Sequence, residues 1–131
     1  MREADIVCCA TTSREPVFEA AWLRPGAHVN GIGAFNLGMI ELPPELFGIA
    51  SVVAVDAREA ALAEAGDVVA GIERGFVGTE DLVEIGSVDR SWAAARDQSA
   101  ITVFKSVGLA IQDVAAAELI TARLLDRPSA G

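Results

Sequence analysis

Four short runs of apolar, largely β-branched residues constrain this chain more than anything else in it. They are residues 4–10 (ADIVCCA), 27–33 (AHVNGIG), 51–56 (SVVAVD) and 101–107 (ITVFKSV). Each is bounded by turn residues, and the apolarity is continuous rather than alternating. A strand solvated on one face alternates; a strand buried on both does not. The runs therefore predict an α/β fold with a mainly parallel sheet flanked by helices.

Helical sequence lies between the runs. Residues 15–23 predict a short helix that stops at Arg24-Pro25-Gly26, where proline and glycine bar continuation. Residues 42–47 allow at most about two turns, with proline tolerated at the start. Residues 57–72 predict the clearest helix, opened by a capping-box pattern of Asp56 and Glu59. The last helix, 109–125, is apolar nearly all the way round (Leu109, Ile111, Val114, Leu119, Ile120, Leu124), the mark of a helix buried in the core or against another domain or chain. Between 71 and 99 the pattern is broken by glycines. There, residues 82–88 read as a short strand or turn and 91–95 as a short helix. Residues 1–126 form one predicted domain and 127–131 a frayed tail.

With 131 residues, 52% of them hydrophobic, the chain has enough apolar material for one core. A formal net charge of −9 argues against nucleic acid and anionic membrane as partners. No apolar run reaches the roughly 18 residues that a membrane-spanning helix needs. The charged opening Met-Arg-Glu-Ala-Asp leads straight into the first run, which argues against a signal peptide. The adjacent Cys8 and Cys9 suit neither a disulfide framework nor a metal site, and read as small buried hydrophobes in a reduced, cytoplasmic protein.

Several loops carry candidate chemistry. Gly31-Ile32-Gly33 follows a strand, and Asp56 closes the next one, which imitates a dinucleotide fingerprint. The next glycine, Gly38, comes too late, and no helix opens at Gly33 to aim its N-terminus at a phosphate. The loop still lies at a strand's carboxyl end, where open α/β sheets bind ligands. Thr11-Thr12-Ser13 occupies the equivalent place after the first strand and either faces a ligand or caps a helix. Lys105 sits inside an apolar run; it is either an edge residue reaching water or part of a site. His28 has neither cysteine nor paired carboxylates beside it in sequence, which favours a structural role. Asp113 and Glu118 interrupt the apolar last helix and would pair across an interface or face a cavity.

Taken together, the segments resemble the ornithine cyclodeaminase/mu-crystallin family. The matching pieces are Ala4-Asp5-Ile6-Val7 running to Thr11, then Trp22-Leu23-Arg24-Pro25-Gly26-Ala27-His28-Val29-Asn30 and Gly31-Ile32-Gly33-Ala34 with Glu41-Leu42. Val55-Asp56-Ala57-Arg58-Glu59-Ala60 and the long block from Ile101 through Phe104-Lys105-Ser106-Val107-Gly108 to Asp113 complete the set. The resemblance implies part of a Rossmann-type domain that binds NAD or NADP, without that domain's first βαβ elements. It also implies a small amino or imino acid substrate and, typically, a homodimer. It places Thr11 and the Ile32-Gly33-Ala34 loop at the border of the cofactor, and Ser106, Val107 and Gly108 beside the nicotinamide.

Only the C-terminal portion of the family is matched, so weak or absent cofactor binding and no activity are expected of the chain alone. Where the cyclodeaminases carry a reacting Asp this chain has Phe35, and Met39 stands where their Lys is expected. Phe35 cannot exchange a proton, which argues against ornithine cyclodeamination. The rival expectation is a non-catalytic α/β module that pairs with a complementary fragment or with itself.

Overall fold

The computed structural model describes residues 2–89 and 97–125. Five parallel strands form one sheet in the order β1-β2-β5-β3-β4. They are β1 (Ile6–Cys9), β2 (His28–Gly31), β3 (Val52–Val55), β4 (Leu82–Glu84) and β5 (Thr102–Lys105). The helices are α1 (Glu45–Ile49), α2 (Arg58–Glu64), α3 (Gly66–Glu73) and α4 (Ala110–Leu125). This is the parallel, helix-flanked architecture expected from the apolar runs, except that β1 and β2 bury only alternate residues rather than both faces. The expected helix at 91–95 and the expected tail at 127–131 lie outside the described residues.

The register is level. Cys9, Gly31, Lys105, Val55 and Glu84, the last residue of every strand, pair across the sheet in one row. Two residues earlier, Val7, Val29, Val103, Val53 and Leu82 form a second row on the same face, all buried. Phe18, Leu42, Leu46, Phe47, Ala61 and Val68 pack with this row to make the core. The opposite face is more open near the β1 edge: Ile6 and Cys8 are exposed, so Cys8 is not the buried residue expected. Side chains there are joined by polar contacts. His28 Nδ1 lies 2.8 Å from Thr102 Oγ1, His28 Nε2 lies 3.2 Å from Asn30 Oδ1, and Asn30 donates to Cys8 Sγ. His28 is thus a bonded residue of the sheet.

Four expectations are corrected. Residues 15–23 hold only a single 3-10 turn, Ala20–Trp22. Glu15 precedes a proline, which disfavours helical backbone there, and Val17 donates its N–H to the Glu41 carbonyl at 3.0 Å. The helix expected over 57–72 breaks at Ala65 into α2 and α3. A Cβ on Gly66 would sit 2.5 Å from the Met39 carbonyl oxygen and 2.6 Å from that of Leu37, so α3 starts where a glycine permits close approach to this loop. Asp56 does not cap α2: the N-cap is Ala57, and the Arg58 N–H donates to Glu84 at 2.9 Å. Lastly, α4 is not buried within this chain but exposed along its whole length, which leaves burial against another domain or chain as the expectation. None of the described helices is long and apolar enough to cross a membrane.

Candidate functional site

Because the strands end level, the turns that follow β1, β2 and β5 leave neighbouring strands side by side. Thr11, the Ile32–Ala34 turn and the Ser106–Gly108 turn, scattered in sequence, are thereby gathered at one end of the sheet. The approach is tight. A Cβ on Gly33 would lie 2.1 Å from the Thr11 nitrogen and 2.2 Å from its carbonyl oxygen, so only glycine lets the two main chains meet.

Two carboxylates hold these turns. Glu41, wholly buried, accepts the Thr11 N–H at 2.8 Å and its hydroxyl at 3.1 Å on Oε2. Its Oε1 accepts the N–H groups of Gly33 at 2.7 Å and Ala34 at 3.4 Å. Burial alone would raise the Glu41 carboxyl, but the Thr11 and Gly33 donors and the nearby Lys105 charge outweigh it and hold the group below its ordinary value. Asp56, at the end of β3, does the same for the β5 turn. Its Oδ2 accepts the Ser106 hydroxyl at 2.7 Å, the Val107 N–H at 3.1 Å and the Gly108 N–H at 2.9 Å. Gly108, at φ +86°, takes a conformation that other residues rarely adopt.

Lys105 stands between the two. It is the single lysine of the sequence and the largest fully buried side chain in the described core. Its Nζ donates to the Ala34 carbonyl at 2.8 Å, and lies 3.7 Å from Glu41 Oε1 and 3.5 Å from Asp67 Oδ2. An ammonium group unbonded in a dry core would cost several kcal/mol; here a carbonyl and the neighbouring carboxylates offset that cost. Asp67 is the less satisfied partner. Burial pushes its carboxyl up against the opposing pull of Lys105, and Oδ2 has no hydrogen bond, while Oδ1 accepts the Val68 N–H. Cys9, in the same row, has its thiol pushed up by burial to about 11, so it stays neutral at ordinary pH. The outward-reaching edge lysine considered from sequence is therefore set aside.

The site residues expected from the family resemblance thus lie together, but the main-chain N–H groups of Gly33, Ala34, Val107 and Gly108 turn inward to carboxylates. The surface beside them is mixed: Ile32, Phe35 and Leu37 are exposed, and so are the polar Thr12 and Asn36. Sequence reading assigned no role to Glu41 or Asp67. The available signal was an acidic residue in an apolar setting, Ile40-Glu41-Leu42 and Gly66-Asp67-Val68.

The ornithine cyclodeaminase/mu-crystallin family model matches residues 1–127. The chain belongs to this family. A Delta(1)-pyrroline-2-carboxylate reductase of Bacillus cereus is 39% identical over 127 residues, 95% of this chain and 39% of the relative. The ketimine reductase mu-crystallin of Mus musculus is 39% identical over 117 residues, 89% of this chain and 35% of the relative. The solved Delta(1)-pyrroline-2-carboxylate reductase of Thermococcus litoralis, in complex with NADH and L-proline, superposes with a TM-score of 0.83 at 32% identity. That match covers 95% of this chain and 39% of the other. The chain therefore spans about two fifths of the length of the relatives it matches, and its fold is Rossmann-like.

Proposed function

We propose that the chain supplies the nicotinamide-side part of an NAD(P)-binding unit, residues 1–126, in a reductase of amino or imino acids. The observation that carries this reading is the convergence of the Thr11, Ile32–Ala34 and Ser106–Gly108 turns at level, adjacent strand ends, the position where open α/β sheets take ligands. The likeness to an NADH- and proline-bound reductase supports the same reading. In this proposal Thr11, Ile32, Gly33, Ala34, Ser106, Val107 and Gly108 border the cofactor. Bound there, the cofactor would supply hydride to the carbon of a C=N bond. The chain's residues shape an apolar wall through Ile32 and Val107 and keep the turns rigid through Glu41 and Asp56.

The same geometry supports weak binding by the chain alone. A dinucleotide carries a charged pyrophosphate, and the Gly33, Ala34, Val107 and Gly108 amides are already engaged by carboxylates. Phe35, exposed and uncharged, favours reduction of an imino acid over ornithine cyclodeamination. The free thiols Cys8 and Cys9 suit a reducing compartment, the cytoplasm.

Reconstitution tests the reading. The chain is co-expressed with the portion of the Bacillus cereus reductase that it does not match, and NAD(P)H-dependent reduction of Δ1-pyrroline-2-carboxylate is assayed. Activity in the reconstituted pair, with no saturable NAD(P)H binding by the chain alone below roughly 1 mM, is the expected result. A pair that assembles without activity overturns the reductase reading; micromolar binding by the chain alone overturns the weak-binding one.

A second reading, a module that self-associates or pairs with a complementary fragment, is favoured by α4. Its Ile111, Val114, Leu119, Ile120, Leu124 and Leu125 are all exposed, an amount of aliphatic surface that favours association.

A further inference from the structure

We propose that Lys105 is a positioning residue that sets the β2 turn against the β5 turn, with Glu41 extending the same constraint to the β1 turn. The inference rests on the reading that these turns border the cofactor, and it adds a residue that touches neither cofactor nor substrate. Lys105 is the last residue of β5, so its main chain runs directly into Ser106-Val107-Gly108, which Asp56 holds. Its side chain instead passes beneath the neighbouring turn and bonds the Ala34 carbonyl. One residue therefore belongs to both turns, through its backbone to one and its side chain to the other. Glu41 takes the N–H groups of Gly33 and Ala34 while Lys105 takes the carbonyl of Ala34, so both polar groups of that peptide segment are held from below. Glu41 in turn holds Thr11. An apolar side chain could fill the same volume, but it could not grip a carbonyl.

The single lysine makes the test clean, because ¹⁵N-lysine labelling of the full chain yields one side-chain signal. In the wild type the Lys105 Nζ protons exchange slowly enough to be seen and shift with the Ala34 carbonyl environment. In Lys105→Met, amide exchange at Gly33 and Ala34 speeds up by about tenfold or more, while Val29 and Val103 amides keep their protection. Val103→Ala serves as a control that loosens the core without touching the turns; it leaves the ratio of Gly33 to Val29 exchange unchanged. If Lys105→Met does not fold, the wild-type Nζ signal and Glu41→Gln, which weakens the same turn, carry the test. Solvent-fast Nζ exchange in the wild type overturns the proposal. So does Gly33 and Ala34 protection that is unchanged in the variants or lost only together with that of Val29 and Val103. A titration of wild type with NADH keeps the two readings apart: amide shifts confined to residues away from these turns would sink the cofactor reading and leave the exchange result standing.

Discussion

Glu41 Oε1 and Lys105 Nζ lie 3.7 Å apart, and both side chains are wholly removed from solvent. Each also serves a backbone group of the same β2 turn, so the pair acts on the main chain more than on itself. Removing one partner leaves the other's charge and several donors buried. Glu41→Ala should destabilise the chain by roughly 3–5 kcal/mol, measured by urea denaturation. A loss under about 1 kcal/mol would show that water replaces the carboxylate freely.

The two buried carboxyls give opposite pH dependences. Glu41, held low, contributes stability above the ordinary carboxylate range and loses it as pH falls through its lowered value. Asp67, pushed up, contributes below that range and loses its contribution as pH rises through its raised value. Glu41, Lys105 and Cys9 are the titratable groups that act on Asp67 or share its surroundings. Asp67→Asn mimics the protonated form, so it should gain stability relative to wild type as pH rises from about 4 to about 8. Denaturation midpoints across that range check this, and a pH-independent difference would contradict it.

Asp56 gathers three donors from the β5 turn on one oxygen. Asp56→Ala should cost about 2–3 kcal/mol, whereas Ser106→Ala, which removes one hydroxyl, should cost about 1 kcal/mol. Equal losses in thermal melts would mean that the hydroxyl, rather than the Val107 and Gly108 amides, carries the bond network.

Gly33→Ala meets backbone atoms of Thr11 at 2.1 and 2.2 Å, which cannot rotate away. It should destabilise by about 2 kcal/mol or more. Gly38→Ala has only the Asn36 side chain, at 3.3 Å, in its way, and should cost under about 1 kcal/mol. Comparable urea midpoints for the two variants would disprove the close approach.

Exposed α4 predicts association. Light scattering after size exclusion should show a species larger than 13.6 kDa, and Leu119→Glu with Ile120→Glu should shift it toward monomer. A wild type that is monomeric at every concentration removes the self-association reading.

Much of the fold was legible in the chain because β1, β3 and β5 fall inside strongly apolar runs, while β2 carries His28 and Asn30 and buries only alternate residues. β4 has only three residues, too few for periodicity to separate a strand from a turn. The site was half legible. The turns could be placed at strand ends, but their anchors are far away in sequence: Asp56 and the Ser106 hydroxyl are separated by 50 positions. Local rules gave Asp56 to the adjacent helix, and the turn far along the chain took it instead. Lys105 stayed open for a related reason, since a lysine in an apolar run can reach water or enter a site, and its partners Glu41 and Asp67 lie far from it in sequence.

Glu41 and Asp56 hold the turns chiefly by main-chain atoms. The exposed side chains of Ile32 and Phe35 take no part in that hold, so frame and outer surface are under separate control. Under the proposed reading, residues lining the ligand can be exchanged while the frame is left as it is. A change confined to exposed side chains such as Ile32 and Phe35 can therefore leave the scaffold intact.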